Sequence, residues 1–194
     1  KLSEVKKLLF KILGYTFFIE LIGAVYLYYS LDNKLSHLSF QNQIFHSIFY
    51  SVTAFCNAGF SLYQTNLIEP FFSQNTGFIL GLSVLIILGG LGFPTISNFK
   101  KFSLFKLNMS QKNAQLTLTT KIVLMMTVIL LTFGTVSIYY FEGIKSFESL
   151  SSIEKILHSF FLSLTARTAG FNMWPTEELS VTVTIILILL MWIG

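Results

Sequence analysis

The chain has 194 residues, of which 53% are hydrophobic and only 11% charged. Soluble domains carry roughly 25% charged residues, so this composition, with a mean hydropathy of +0.69, excludes an ordinary soluble domain and points to the membrane. The single cysteine, Cys56, excludes a disulfide or a cysteine-cluster metal site within this stretch. The formal charge of +4 is not a nucleic-acid footprint, because the lysines gather beside apolar spans and report topology instead.

Residues 1–11 are basic, with Lys1, Lys6, Lys7 and Lys11 against Glu4. Residues 12–31 supply about 20 mostly apolar positions, enough to cross a hydrocarbon core of ~30 Å as a helix. That run is too long for a signal peptide, and no small-residue cleavage site follows it. Glu20 lies in the middle of the span, where an ionisable group is expensive to bury and marks a functional position by default. A direct ion role and a pairing with a neighbouring helix or pore-helix group both remain open for it. Tyr26, Tyr28 and Tyr29 form an interfacial cluster at the far end, before the polar break Asp32-Asn33-Lys34.

Residues 43–56 are apolar but too short to span, the length expected of a re-entrant or interfacial segment. They feed a turn at 57–61 containing Asn57, Ala58 and Gly59. Irregular backbone at membrane depth is tolerated only where it lines a cavity or is buried in protein. Residues 62–75 return through polar sequence, and 76–96 form the next span, ending among Gly89, Gly90, Gly92 and Pro94. The stretch 97–121 carries Lys100, Lys101, Lys106, Lys112 and Lys121 and no acid. A third span covers 118–141, a second short helix 155–167, a second turn 168–172, and a fourth apolar run begins at Leu179.

The order is therefore span, re-entrant loop, span, and then the same again. FHSIFYSVTAFCNAGFS (45–61) is echoed by LHSFFLSLTARTAGFN (157–172). Asn57-Ala58-Gly59-Phe60 lies over Thr168-Ala169-Gly170-Phe171 when the glycines are aligned. When His46 is aligned with His158, the first copy carries one extra residue before its glycine. The positive-inside rule puts the N-terminus and 97–121 in the cytoplasm and both glycine turns on the outer side. The outer loops are rich in acids (Asp32, Glu69, Glu142, Glu148, Glu154, Glu177, Glu178), which raises the local cation concentration. A filter for potassium replaces the hydration shell of the ion with backbone carbonyls, and glycine supplies the backbone angles that this requires. The candidate filter residues are thus Asn57, Ala58, Gly59, Thr168, Ala169 and Gly170.

These motifs resemble the Trk/Ktr/HKT superfamily of potassium transporters, and specifically a Ktr- or Trk-type ion-translocating subunit. FHSIFYSVTAFCNAGFS resembles its second pore loop and LTARTAGFN its third. IELIGA (19–24) and GGLGFPTI (89–96) resemble the M1 and M2 helices of its second repeat, and MWIG (191–194) resembles the break in the third M2 helix. The resemblance implies an all-α membrane protein built from tandem M1–pore loop–M2 repeats, here half of a four-repeat, pseudo-tetrameric cation channel and so a piece of a longer chain. On that reading, 1–100 is one repeat, 101–117 a basic cytoplasmic linker, and 118–194 a second repeat truncated in its last helix. It further implies passive, gated uptake of potassium, or of sodium in some relatives, across the cell's plasma (inner) membrane. It needs no cofactor beyond the ion, involves no enzymatic step, and implies a homodimer that docks cytosolic nucleotide-binding regulatory subunits.

Other residues carry narrower expectations. Arg167, one residue before the second filter segment, would repel cations if bare, so it is expected behind the filter, bonded to carbonyls or paired with an acid. Glu20 is grouped with it as filter support. His46 and His158 head the pore helices and are expected to be structural, and Cys56 is expected to be a small buried thiol. Asn57 departs from a threonine- or valine-glycine filter and puts strict potassium selectivity in doubt. The rival readings are a non-conducting half-channel or interaction subunit, and a secondary transporter with broken helices. The parallel run of the two repeats argues against the inverted symmetry that a transporter of that kind would show.

Overall fold

The structure, a computed structural model, describes residues 2–31, 39–107, 116–148, 150–167 and 169–193. Lys1, the Asp32–Lys34 break, Lys112, Thr168 and Gly194 lie outside the described residues. Among the described residues every regular element is a helix: α1 (Leu2–Leu31), α2 (Phe40–Phe55), α3 (Pro70–Ser73), α4 (Thr76–Leu107), α5 (Leu118–Glu142), α6 (Ser152–Thr165) and α7 (Val181–Ile193), with a single 3-10 turn over Thr176–Glu178 before α7.

Three stretches among the described residues are long and apolar enough to cross a membrane: Glu4–Leu31, Thr76–Asn98 and Leu118–Glu142. Their outward faces are apolar, with Phe10, Phe17, Val84 and Val136 all more than half exposed. This is the pattern of helices solvated by lipid rather than water. α1 is longer than the span expected over 12–31 because Leu8, Leu9 and Phe10 continue the apolar run and nothing in the basic segment breaks a helix. α4 likewise continues past residue 97, where a loop was expected, as far as Leu107. It does so through a kink at Gly92 (φ 74°, ψ 156°), two residues before Pro94. Pro94 has no N–H to give the helix ladder, and only glycine takes that backbone angle cheaply.

α2 and α6, of 16 and 14 residues, are about 24 and 21 Å long and do not cross. Each starts on a serine cap: Ser39 accepts from the Asn42 N–H, and Ser151 forms a reciprocal capping box with Glu154. α2 packs on α1 and α4, the spans that flank it in the chain, and α6 packs on α5 and α4. α7 closes the second unit against α5, while α4 joins the units by packing on both α5 and α6. Close approach falls to small residues: a Cβ on Gly81 would stand 2.6 Å from the Tyr26 ring, and one on Gly89 would land on the carbonyl oxygen of Phe55.

The outer return segment of the first unit is held by aromatic packing. Phe72, fully buried, lies 4.8 Å from Phe78 and 5.1 Å from Tyr50, and Phe71 lies against Tyr63. One staple in each unit ties the outer end of the first span to the start of the next. In the first unit, Asn75 bonds the carbonyl and hydroxyl of Ser30 and caps α4 through the Phe78 N–H. In the second, buried Glu142 accepts from the Ser180 N–H (2.6 Å) and the Ser146 hydroxyl (2.9 Å) at the start of α7.

Candidate functional site

The two glycine turns lie against each other. Gly59 (φ 68°) and Gly170 (φ 77°) both occupy left-handed backbone that disfavours any side chain. A Cβ on Gly59 would stand 2.6 Å from the carbonyl oxygen of Ala169 and 2.8 Å from Cα of Gly170. A Cβ on Gly170 would stand 3.3 Å from Cα of Gly59. Residues far apart in the chain thus meet backbone to backbone, and the Leu67 N–H donates across to the Asn172 carbonyl at 2.9 Å just beyond.

The extra residue of the first copy has a definite place. The Ala58 N–H reaches back to the Thr53 carbonyl (2.8 Å), whereas its counterpart Ala169 reaches the Thr165 carbonyl (3.1 Å), one residue nearer in sequence. The wider turn is accommodated by Asn57, whose φ of 50° is left-handed, a conformation that asparagine tolerates better than most residues. With its side-chain amide oriented to satisfy both neighbours, Asn57 donates to the Ala54 carbonyl (3.1 Å) and accepts from the Gly90 N–H (3.3 Å). Its amide therefore belongs to the packing between α2 and α4.

Arg167 is half-buried and shares a narrow cleft of about 80 Å³ with Asn57, Gly90, Thr127 and Leu164, drawn from both units. Its own N–H donates to the Leu164 carbonyl. Glu20 serves the end of the first pore helix twice: its backbone carbonyl accepts the Ser51 hydroxyl at 2.6 Å, and its carboxylate lies 3.8 Å from the Cys56 sulfur. Cys56 is exposed, against the expectation of a buried thiol, because it is the C-cap of α2 and falls past the packed face of the helix. Of the six candidate filter residues, Asn57, Ala58, Gly59, Ala169 and Gly170 come together, while Thr168 lies outside the described residues.

Features that repeat in both units surround this centre. His46 packs its ring on Tyr63 (5.8 Å) and His158 packs on Trp174 (6.0 Å); each aromatic follows its glycine by the same number of residues. The Nδ1 of His46 donates to the Asn42 carbonyl (2.8 Å). Gly23 and Gly134 precede Gly59 and Gly170 at equal distances in sequence and receive Ser51 and Ser163 of the pore helices. None of these four residues, nor Tyr63 and Trp174, is singled out by the motifs read from the sequence. The two glycines and the two aromatics are identified by their equal spacing from the turn glycines, and the two serines by their equal spacing from His46 and His158.

The sequence profile of the family described as TrkH, cation transport protein, matches residues 1–194. The Ktr system potassium uptake protein B of Vibrio alginolyticus is 32% identical over 98% of this chain, and the potassium/sodium uptake protein NtpJ of Enterococcus hirae is 32% identical over all of it. The sodium transporter HKT1 of Arabidopsis thaliana is 24% identical over 94%. This chain spans about 40% of the length of each of these relatives.

Proposed function

The chain belongs to the TrkH family of cation transport proteins, and on that premise we propose that Gly59 and Gly170 centre two neighbouring segments of one cation filter. The observation that carries this reading is the direct backbone contact of two left-handed glycine turns, each delivered by a short helix that does not cross the membrane. Carbonyls from Asn57, Ala58 and Gly59 and from Thr168, Ala169 and Gly170 would replace water around potassium or sodium. Further segments from the same protein or a second copy would complete the ring. Transport by this route is passive conduction with no covalent step and no cofactor. Arg167 and Glu20 support the turns from behind. The basic ends at 1–11 and 97–121 face the cytoplasm, where a nucleotide-binding regulatory partner would dock, and the acidic outer loops concentrate cations at the entrance.

The test is Gly59→Ser and Gly170→Ser in the complete protein, with potassium and sodium uptake measured in cells that lack other uptake routes. Both variants are expected to insert normally and to lose preference for potassium over sodium. Wild-type ion preference in both would remove the filter from these turns.

A further inference from the structure

We propose that Ser51 and Ser163 are positioning residues of the filter, each fixing the depth at which its pore helix delivers a glycine turn. The proposal rests on the filter reading above. A helix that spans the bilayer is set in depth by its own apolar length, but α2 and α6 are too short for that. Their depth must come from discrete contacts with the spans beside them.

Hydroxyls inside helices ordinarily bond back to the carbonyl four residues earlier. Ser47, Thr53 and Ser83 do so here, to Gln43, Phe49 and Ile79. Ser51 and Ser163, both fully buried, instead reach across to another helix. Ser51 donates to the Glu20 carbonyl of α1 at 2.6 Å, and Ser163 to the Leu131 carbonyl of α5 at 3.3 Å. In each case the acceptor lies one helical turn before the glycine that receives the serine.

The seat is built from three elements in both units. A Cβ on Gly23 would stand 2.6 Å from the Ser51 oxygen and 2.6 Å from Leu85 of α4. A Cβ on Gly134 would land on the Ser163 oxygen and stand 2.8 Å from Leu190 of α7. Entry span, pore helix and exit span therefore meet at one glycine per unit. The first contact is the tighter of the two, because the Leu131 carbonyl also accepts the Thr135 hydroxyl at 2.6 Å. A register shift of either pore helix would break its bond and move the carbonyls downstream, so these hydroxyls tune ion preference without touching the ion.

The experiment compares Ser51→Ala, Ser163→Ala and Gly59→Ser in the complete protein, reading the potassium-to-sodium uptake ratio at matched membrane abundance. Ser51→Ala is expected to lower the ratio about fivefold, the factor that one net hydrogen bond represents, and Ser163→Ala to lower it less. Ser51→Cys, which keeps the volume and weakens the donor, should fall between wild type and alanine, and it replaces Ser51→Ala if that variant does not insert. An unchanged ratio in the inserted serine variants, with a reduced ratio in Gly59→Ser, would overturn the positioning role and leave the filter reading standing. An unchanged ratio in all three would remove both.

Discussion

The two pore-loop turns end on the same tripeptide, Ala-Gly-Phe, yet they are held in opposite ways. The first is wide and largely open: Phe60 is 67% exposed, and the turn is anchored laterally through Asn57 to Gly90. Its return segment hangs on Tyr50, whose hydroxyl bonds Ser61 at 3.1 Å and accepts from the Leu62 N–H. The second is tight and buried: Phe171 is 0% exposed, and the Thr165 hydroxyl crosses the turn to the Phe171 carbonyl at 2.6 Å. The matching Thr53 spends its hydroxyl on its own helix. A shared tripeptide thus specifies the left-handed glycine, while the scaffold around it is free to differ between units.

The difference can be broken first at Asn57. Asn57→Val places a β-branched side chain at φ 50° and removes the bond to Gly90. Left-handed backbone costs an ordinary residue about 1–2 kcal/mol, and the lost bond adds about 1 kcal/mol. Cation uptake and thermal stability in detergent should both fall, and Asn57→Gly, which keeps the backbone and loses only the bond, should fall less. Equal behaviour of the two variants would mean that backbone angle is not what asparagine contributes there.

A smaller effect separates the two threonines. Thr165→Val removes the bond across the second turn and should lower thermal stability by about 1–2 kcal/mol. Thr53→Val loses only bonds to its own helix and should leave stability near wild type. Comparable losses at both sites would show that the turns are anchored alike after all.

The smallest effect lies at the head of the second pore helix. The Glu154 carboxyl is held below its usual value of 4.5, chiefly by the hydrogen bond from the Ser151 hydroxyl and also by the Ser151 N–H. A depressed carboxyl stabilises the fold above its unfolded value, and that contribution is lost as pH falls through the folded one. Thermal stability should therefore decline on acidification below about pH 4.5. The decline should be smaller in Glu154→Gln, which keeps the reach of the capping box but not the charge. The first unit has no counterpart, since Asn42 takes that place in α2.

Much of this architecture is legible in the sequence. Apolar length separates the spans from the short helices, because a bilayer sets one length for crossing and α2 and α6 fall short of it. Repetition of His46 and Gly59 as His158 and Gly170 marks the two turns. The exposure of Cys56 is not legible in the sequence, since it depends on where α2 ends and on which side of its last turn is packed. The helical run through 97–107 was hidden by its lysines, which report topology and are good helix formers as well.

What the sequence determined by itself is the membrane class, the duplicated span–loop–span order and the glycines on which both turns depend, because these follow from hydropathy, length and local backbone freedom. Only the tertiary structure decided that Gly59 and Gly170 touch, that Asn57 faces Gly90, and that Ser51 and Ser163 bond outside their own helices. Each of those facts joins residues distant in the chain, and the close fit of one helix against another carries no local signature in either segment alone.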